Sequence, residues 1–256
     1  MAVMKVAIIG DSIAEGLGVQ GCSYGDTLCV LQKKTGTNVD LLNLAHTGYQ
    51  ISDSAHLLPK LYAFAPDLVI IAHGVTEAII RPNQNAMRFV PPRWRQKGWL
   101  DPRPYYSRHW LKRLPQQIES TLRWRWKVCL LKVFGGETWM SETIFSEKLN
   151  ACLDAILIQT SANIILLTQA GLDEKFYPGS PASLERYCDT IKQIAHSHKS
   201  NSRAYLCDIS QLLDEWGDFF CDHFHPNREG HNKIANTLHE FINKQSLSAT
   251  FSFHKD

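Results

Sequence analysis

The 256-residue chain contains no Cys-x-x-Cys pair, no apolar run approaching 18 residues, no internal repeat and no low-complexity tract. Each absence removes a class of protein. The seven cysteines (Cys22, Cys29, Cys129, Cys152, Cys188, Cys207 and Cys221) are scattered, several inside apolar runs, and read as reduced buried thiols rather than a disulfide framework. Without a long apolar run there is no candidate membrane span. The opening stretch Met1 to Gly10 also lacks the basic lead-in and small-residue cleavage site of a secretory signal. The expectation is a soluble, cytoplasmic protein with no membrane partner. Gly10, Gly16 and Gly18 do not follow the G-x-G-x-x-G order of a dinucleotide loop, and no P-loop Lys-Ser/Thr follows, which sets nucleotide binding aside.

A hydrophobic content of 44% over this length suffices for one α/β domain with a full core. KVAIIGDS, from Lys5 to Ser12, is a short apolar run ending in a Gly-Asp-Ser turn, the pattern of a buried strand that delivers its loop at the carboxyl end. The pattern recurs in VDLLNLA (39–45), DLVIIAHG (67–74), ANIILLTQAG (162–171) and RAYLCDI (203–209). Helical periodicity runs over 25–34, 52–64, 144–160, 182–198 and 228–244. Strands alternating with helices predict parallel β-α-β units, here about five strands in a three-layer α/β/α sandwich. Ligands of such sheets sit beyond the carboxyl ends of the strands, so the loops of interest are GDS, AHTG, HGVTE, TQAG and the approach to DHFHP. Residues 1–245 are expected to form a single domain, followed by a loosely held tail over 246–256.

The net charge of +2 conceals an asymmetry, because residues 79–132 hold 13 Lys/Arg against only Asp101 and Glu119. Pro82, Pro91, Pro92, Pro102, Pro104 and Pro115 forbid one continuous helix there and leave Leu114 to Val133 as the helical candidate. Trp94, Trp99, Trp110, Trp124 and Trp126 carry too much apolar area for a solvated linker, so the stretch reads as a folded insertion after the third strand. The Arg/Trp alternation over 123–127 admits a nucleic-acid surface that stacks bases and neutralises phosphates. The plainer expectation is an amphipathic helix whose tryptophans cover the core while Arg and Lys face water. A third expectation places the insertion at the mouth of the site, binding an anionic substrate such as an acidic or phosphorylated glycan, or the phosphates of an acyl-CoA.

CDHFHPNREGH (221–231) packs three histidines, an aspartate and a cysteine into eleven positions. A metal site here would use His223, His225 and His231 with Cys221 or Asp222, but H-x-H followed by five residues and another histidine matches no common zinc spacing. The alternative begins at Ser12. A serine just after a buried strand is a poor nucleophile until a base takes its proton, and the base needs an orienting acid. Asp222 and His225, three apart on a turn before a helix, supply both. This reading accounts for Ser12, Asp222, His225 and Pro226 together and requires neither a metal nor an organic cofactor. Asp11 is expected to cap or brace the nucleophile turn.

Gly10-Asp11-Ser12, Gly48 in LAHTGYQISD and Asp222-His223-Phe224-His225-Pro226 together resemble the first, second and last sequence blocks of the SGNH, or GDSL-like, hydrolase superfamily, over about Lys5 to Asn243. The resemblance implies a flavodoxin-like sandwich, a Ser12 nucleophile, a His225 base oriented by Asp222, and an oxyanion hole using the backbone N–H groups of Ser12 and Gly48. The third block departs from the pattern. Gly74-Val75-Thr76-Glu77 stands where the family carries Gly-x-Asn-Asp, so Thr76 replaces the asparagine whose amide is the third donor. Threonine offers one O–H of shorter reach, which leaves the hole weaker or rebuilt, with His73, Arg81 or an insertion residue as candidates for the third place; Arg81 and His73 are also the expected substrate-binding residues.

The expected function is a serine-dependent acyl-ester hydrolase, or an O-acyltransferase if a sugar hydroxyl replaces water as acceptor. Acetyl is the expected acyl group and carbohydrate the expected substrate class, with any acyl-CoA a cosubstrate. The competing expectations are a non-catalytic ligand-binding protein on the same scaffold and a nucleic-acid-binding protein that uses residues 79–132.

Overall fold

The computed structural model describes residues 3–214 and 216–247. From β1 (Val3–Gly10) the chain passes through α1 (Ser12–Glu15) and α2 (Tyr24–Lys34) to β2 (Asn38–Asn43). It continues through α3 (Ile51–Ser54) and α4 (Leu58–Phe64) to β3 (Leu68–Ala72). After α5 (Val75–Ala78) comes a long excursion containing β4 (Arg81–Pro82), α6 (Trp110–Phe134) and β5 (Gly136–Glu137). The chain then resumes with α7 (Glu142–Gln159), β6 (Asn163–Leu167), α8 (Ser180–Ser197), β7 (Ala204–Cys207) and α9 (Arg228–Lys244).

Five strands pair in parallel in the order β2-β1-β3-β6-β7, and β4 and β5 form a separate two-residue antiparallel pair. All five residues of β3 are buried, which is why its sequence, LVIIA, is continuously apolar rather than alternating. Helices flank the sheet in two groups, α2 packing on α9 while α7 packs on α8 and receives α3 and α4. The expected five-stranded α/β architecture is therefore present. Strand order reverses direction between β1 and β3, and a crevice opens at the carboxyl ends of strands so arranged. The two strands approach closely there: a Cβ on Gly10 would lie 2.7 Å from the Ala72 carbonyl oxygen and 2.6 Å from the Ala14 Cβ. Only glycine fits at the end of β1.

The C-terminal expectation needs adjustment. Leu247 is buried and its N–H bonds the Ile242 carbonyl at 3.0 Å, so the packed chain extends past residue 246. The remainder of the expected tail, 248–256, lies outside the described residues.

Helix α6 differs from expectation twice. It begins at Trp110 rather than Leu114, more than a turn ahead of Pro115, with the His109 carbonyl accepting the N–H groups of Lys112 and Arg113. Pro115 removes one N–H near an exposed helix end, where the loss costs least. The second difference is polarity. Arg123 and Lys127 are buried, while Trp110, Leu111, Leu114, Ile118, Leu122 and Trp126 are exposed, the reverse of a helix that covers the core with tryptophans. The cause is Asp101. Its carboxylate receives Lys127 Nζ at 2.7 Å and Arg81 Nη2 at 3.3 Å, and the Arg123 guanidinium lies 4.9 Å over the Trp99 ring. Burial acts to raise the Asp101 pKa, but the two cations hold it below the usual carboxylate range. Of the cations in the 123–127 alternation, Arg123 and Lys127 turn inward and Arg125 faces water. Among the described residues, no helix is long and apolar enough to cross a membrane.

Replacing Asp101 by Asn leaves two buried cations without a counter-charge. A loss of about 3–5 kcal/mol is expected in urea denaturation. An unchanged midpoint would show that Asp101 does not hold α6 in place.

Candidate active site

Asp11 is the N-cap of α1, its Oδ1 accepting the Ile13 N–H at 3.0 Å, which fixes Ser12 as the first helical residue beyond β1. Ser12 Oγ lies 2.8 Å from His225 Nε2, and His225 Nδ1 lies 2.6 Å from Asp222 Oδ2. The three side chains, 213 residues apart at the extremes, form one buried hydrogen-bonded chain. Local geometry holds its acid end. Asp222 Oδ1 accepts the N–H groups of Phe224 and His225 at 3.2 and 3.1 Å, and the Phe220 N–H closes the turn on the His225 carbonyl at 2.8 Å. With Nδ1–H donated to the carboxylate, Nε2 is the acceptor for the serine hydroxyl. Asn227 then caps α9 through the N–H groups of Glu229 and Gly230.

The other histidines of CDHFHPNREGH are sent elsewhere. His223 stacks on Phe176 with ring centroids 5.2 Å apart, and buried His231 accepts the Tyr24 N–H at 3.1 Å through Nδ1. Ser12 and His225 open onto a cavity of about 500 Å³ whose wall also includes Gly48, Thr76, Arg81 and Trp139.

The Gly48 loop is fastened at three points. The His46 N–H reaches the Gly10 carbonyl at 3.2 Å, the Thr47 N–H reaches Glu15 Oε2 at 2.6 Å, and the Ile51 N–H reaches Glu77 Oε1 at 2.6 Å. Gly48 has φ +77° with nothing within 4 Å of a hypothetical Cβ, so backbone conformation rather than space requires glycine. The N–H groups of Ser12 and Gly48 find no acceptor among the described residues, and both residues line the cavity.

Two expected contributors take other roles. Thr76 borders the cavity, but its Oγ1 donates to Asp11 Oδ2 at 3.1 Å, so its one hydroxyl proton braces the nucleophile turn instead of extending an oxyanion hole. His73, expected as a substrate contact or third donor, is buried outside the cavity wall with Nε2 2.7 Å from Ser54 Oγ, and burial lowers its pKa to about 3. Arg81 does line the cavity. Its guanidinium lies 3.5 Å over the Trp139 ring and donates to the carbonyls of Thr76 and Ile79 at 3.0 and 3.2 Å.

The sequence profile of the GDSL-like Lipase/Acylhydrolase family matches residues 8–233. The chain belongs to this family. No curated protein sequence matches it. Among solved structures it is similar to LAE5, an alpha/beta hydrolase enzyme from the metagenome of Lake Arreo, Spain, with TM-score 0.60 and 18% identity over 96% of this chain and 97% of that one. It is also similar to Axe2, an acetylxylan esterase from Geobacillus stearothermophilus, with TM-score 0.58 and 16% identity over 94% of each chain. A third similar structure is TesA, with TM-score 0.60 and 14% identity over 94% of this chain and 99% of that one. At these identities the likeness speaks to the fold. Membership of the GDSL-like family makes the chain an ester hydrolase in kind.

Sequence reading did not anticipate three residues around this GDSL-like site. Glu77 accepts the Ile51 N–H with one oxygen and the Gly74 N–H, at 3.0 Å, with the other, and burial pushes its pKa up to about 7. The Gly74-x-x-Glu77 spacing of a helix-capping carboxylate was a signal for it. Lys97 Nζ lies 3.3 Å from the Gly48 carbonyl and 4.3 Å over Trp139. Trp139 gave no signal, since it lies beyond the expected end of the basic segment. A second cavity of about 480 Å³ shares Arg81, Lys97, Asp101 and Trp139 with the first and adds Arg95 and Lys127.

Thr76→Val is expected to keep kcat within about tenfold of wild type while lowering stability by about 1–3 kcal/mol, because an acceptor on Asp11 is left unmet. A kcat loss on the order of 10²–10³ would instead identify the hydroxyl as an oxyanion donor. Glu77 gives a pH signature. Its pKa is about 7 in the fold against the ordinary 4.5, so between these values the folded state binds the proton more tightly than the unfolded chain and the group's stabilising contribution declines as pH rises. Melting curves from about pH 5 to about pH 8 should therefore shift in favour of a Glu77→Gln variant relative to wild type, whereas parallel courses would overturn the assignment.

Proposed function

We propose that the protein cleaves or transfers an acyl ester, most simply an acetyl group on a carbohydrate, through an acyl-Ser12 intermediate. The observation that carries this reading is the Ser12–His225–Asp222 chain, with contacts of 2.8 and 2.6 Å, opening onto the cavity that Gly48 also lines. Ser12 Oγ attacks the ester carbonyl carbon while His225 Nε2 takes its proton, and Asp222 fixes the tautomer and stabilises the imidazolium. The Ser12 and Gly48 N–H groups receive the oxyanion. Collapse of the tetrahedral species expels the alcohol, which leaves with the proton from His225. Water or a sugar hydroxyl then attacks acyl-Ser12 by the same steps in reverse roles. Water makes the protein an esterase, and a sugar hydroxyl makes it an O-acyltransferase.

Two considerations support a carbohydrate acetyl ester. Solved structures of this fold include an acetylxylan esterase, and the cavity of about 500 Å³ suits a ligand the size of a substituted sugar unit. Arg81 and Lys97 in the cavity wall favour an anionic substituent, such as a carboxylate or phosphate on the glycan or the phosphates of an acyl-CoA donor.

Incubation with p-nitrophenyl acetate or acetyl-CoA, with and without candidate sugars, is expected to give an acetyl adduct by intact mass on wild type and none on Ser12→Ala. Turnover should fall on the order of 10⁶-fold in Ser12→Ala and on the order of 10⁴-fold in Asp222→Asn. Acceptor-dependent loss of the adduct would mark transfer and water-dependent loss hydrolysis. Equal turnover by wild type and Ser12→Ala would exclude the acyl-serine route.

A further inference from the structure

Helix α6 is amphipathic with its faces exchanged, and the exposed face has no covering element. Leu111, Leu114, Ile118, Leu122, Trp126 and Val133 recur at helical spacing on the side opposite buried Arg123 and Lys127, and each is between 40% and 68% exposed. From Leu111 to Val133 the strip extends about 33 Å at helical rise. Scattered exposed apolar residues are ordinary on a protein surface, but a continuous strip of this length marks a face that another surface covers.

Charge indicates what that surface is. The exposed residues in and beside the strip include Lys112, Arg125 and Lys132, and Glu119 is the sole acidic residue of α6. A second copy of the chain meeting this face about a two-fold axis would lay the same cationic rim against itself. A surface of anionic phospholipid headgroups carries the opposite sign. An aliphatic strip with a basic rim is also the pattern of a helix that lies in the plane of a membrane interface, its apolar side a few ångströms into the acyl boundary. Aromatic groups mark both ends, with Trp110 exposed at the first turn and Phe89 stacked on Phe134 at the last, their ring centroids 5.0 Å apart. Such rings settle at headgroup depth.

We propose that the outward face of α6 seats the protein on an anionic membrane surface, with the helix lying flat in the interface. The lack of a spanning segment, from which the sequence reading set membranes aside, has no bearing on a helix in this orientation. The inference stands apart from the acyl chemistry. It does bring the two surfaces close, because Lys127 on the inner side of the same helix belongs to the wall of the second cavity, about one helix diameter (roughly 10 Å) from the strip.

Flotation of the full chain with phosphatidylcholine vesicles, and with vesicles of equal parts phosphatidylcholine and phosphatidylglycerol, tests this directly. Wild type is expected to float with the mixed vesicles, and less so with added salt or with phosphatidylcholine alone. The double substitution Ile118→Glu with Leu122→Glu changes two exposed positions. It should reduce the floated fraction at least about tenfold while leaving the thermal melt and turnover of a soluble ester unchanged. Arg125→Glu with Lys132→Glu, also exposed, should weaken binding to mixed vesicles as well. Wild type remaining unbound to mixed vesicles, or the aliphatic-strip variant floating as well as wild type, would overturn the proposal. A wild-type dimer by light scattering that the same variant dissolves would assign the strip to a second copy and equally overturn it.

Discussion

Two carboxylates shut away from water, Asp11 and Glu77, gather the backbone of three loops around the carboxyl ends of β1 and β3. Asp11 receives the Ile13 N–H and the Thr76 hydroxyl, and Glu77 receives the N–H groups of Ile51 and Gly74. Burial of an ionised carboxylate is costly unless its oxygens are met, and here burial raises both pKa values, Asp11 to about 6 and Glu77 to about 7. That cost has a geometric return. The nucleophile turn is tied to the third loop through Asp11, and the third loop to the second through Glu77. The spacing between the Ser12 and Gly48 N–H groups is thus set by a network rather than by one loop's own stiffness.

The same network explains the missing third donor of the family pattern. An asparagine at position 76 would turn an amide to the substrate, whereas threonine, with its single hydroxyl proton, turns it to Asp11. A donor lost from an oxyanion hole costs roughly 3–4 kcal/mol in barrier. Against this loss, the cavity wall carries Arg81 and Lys97, whose positive potential acts throughout a partly enclosed space. On the proposed reading, the Ser12 and Gly48 N–H groups and the two nearby cations form a different electrostatic arrangement from three donors, one suited to a substrate that is itself anionic.

Much of this was legible in the sequence, for reasons of distance along the chain. Parallel strands buried on both faces must be apolar runs, so five of them could be read off directly, each ending near a glycine or polar turn. Asp222 and His225 are three residues apart and make their pair on one turn, so sequence shows the pair without the fold. Ser12 is readable as a partner because the strand-end rule brings distant loops to one edge. What stayed hidden depends on contacts between residues whose separation carries no pattern. Lys127 pairs with Asp101, 26 residues away, and that single contact decides which face of α6 turns inward. His73 and Arg81, eight residues apart and both side-chain N–H donors by type, received the same expectation. The fold buries one against Ser54 and opens the other to the cavity.

The inversion of α6 ties these observations together. Placing Lys127 and Arg123 inside fixes Asp101 in the wall of both cavities and holds Arg81 against Trp139, so the charged side of the helix is built into the site. A helix has only one circumference, and residues drawn inward by an ion pair push the leucines and isoleucine of the opposite side outward. In water that arrangement leaves hydrocarbon exposed at roughly 25 cal/mol for each Å² that burial would recover. A helix whose Lys127 is paired inside the protein and whose apolar face is left uncovered gains free energy wherever its outer side is covered. Coverage by an anionic interface removes the aliphatic strip from water and neutralises the cationic rim in the same step, which coverage by a surface of like charge does not.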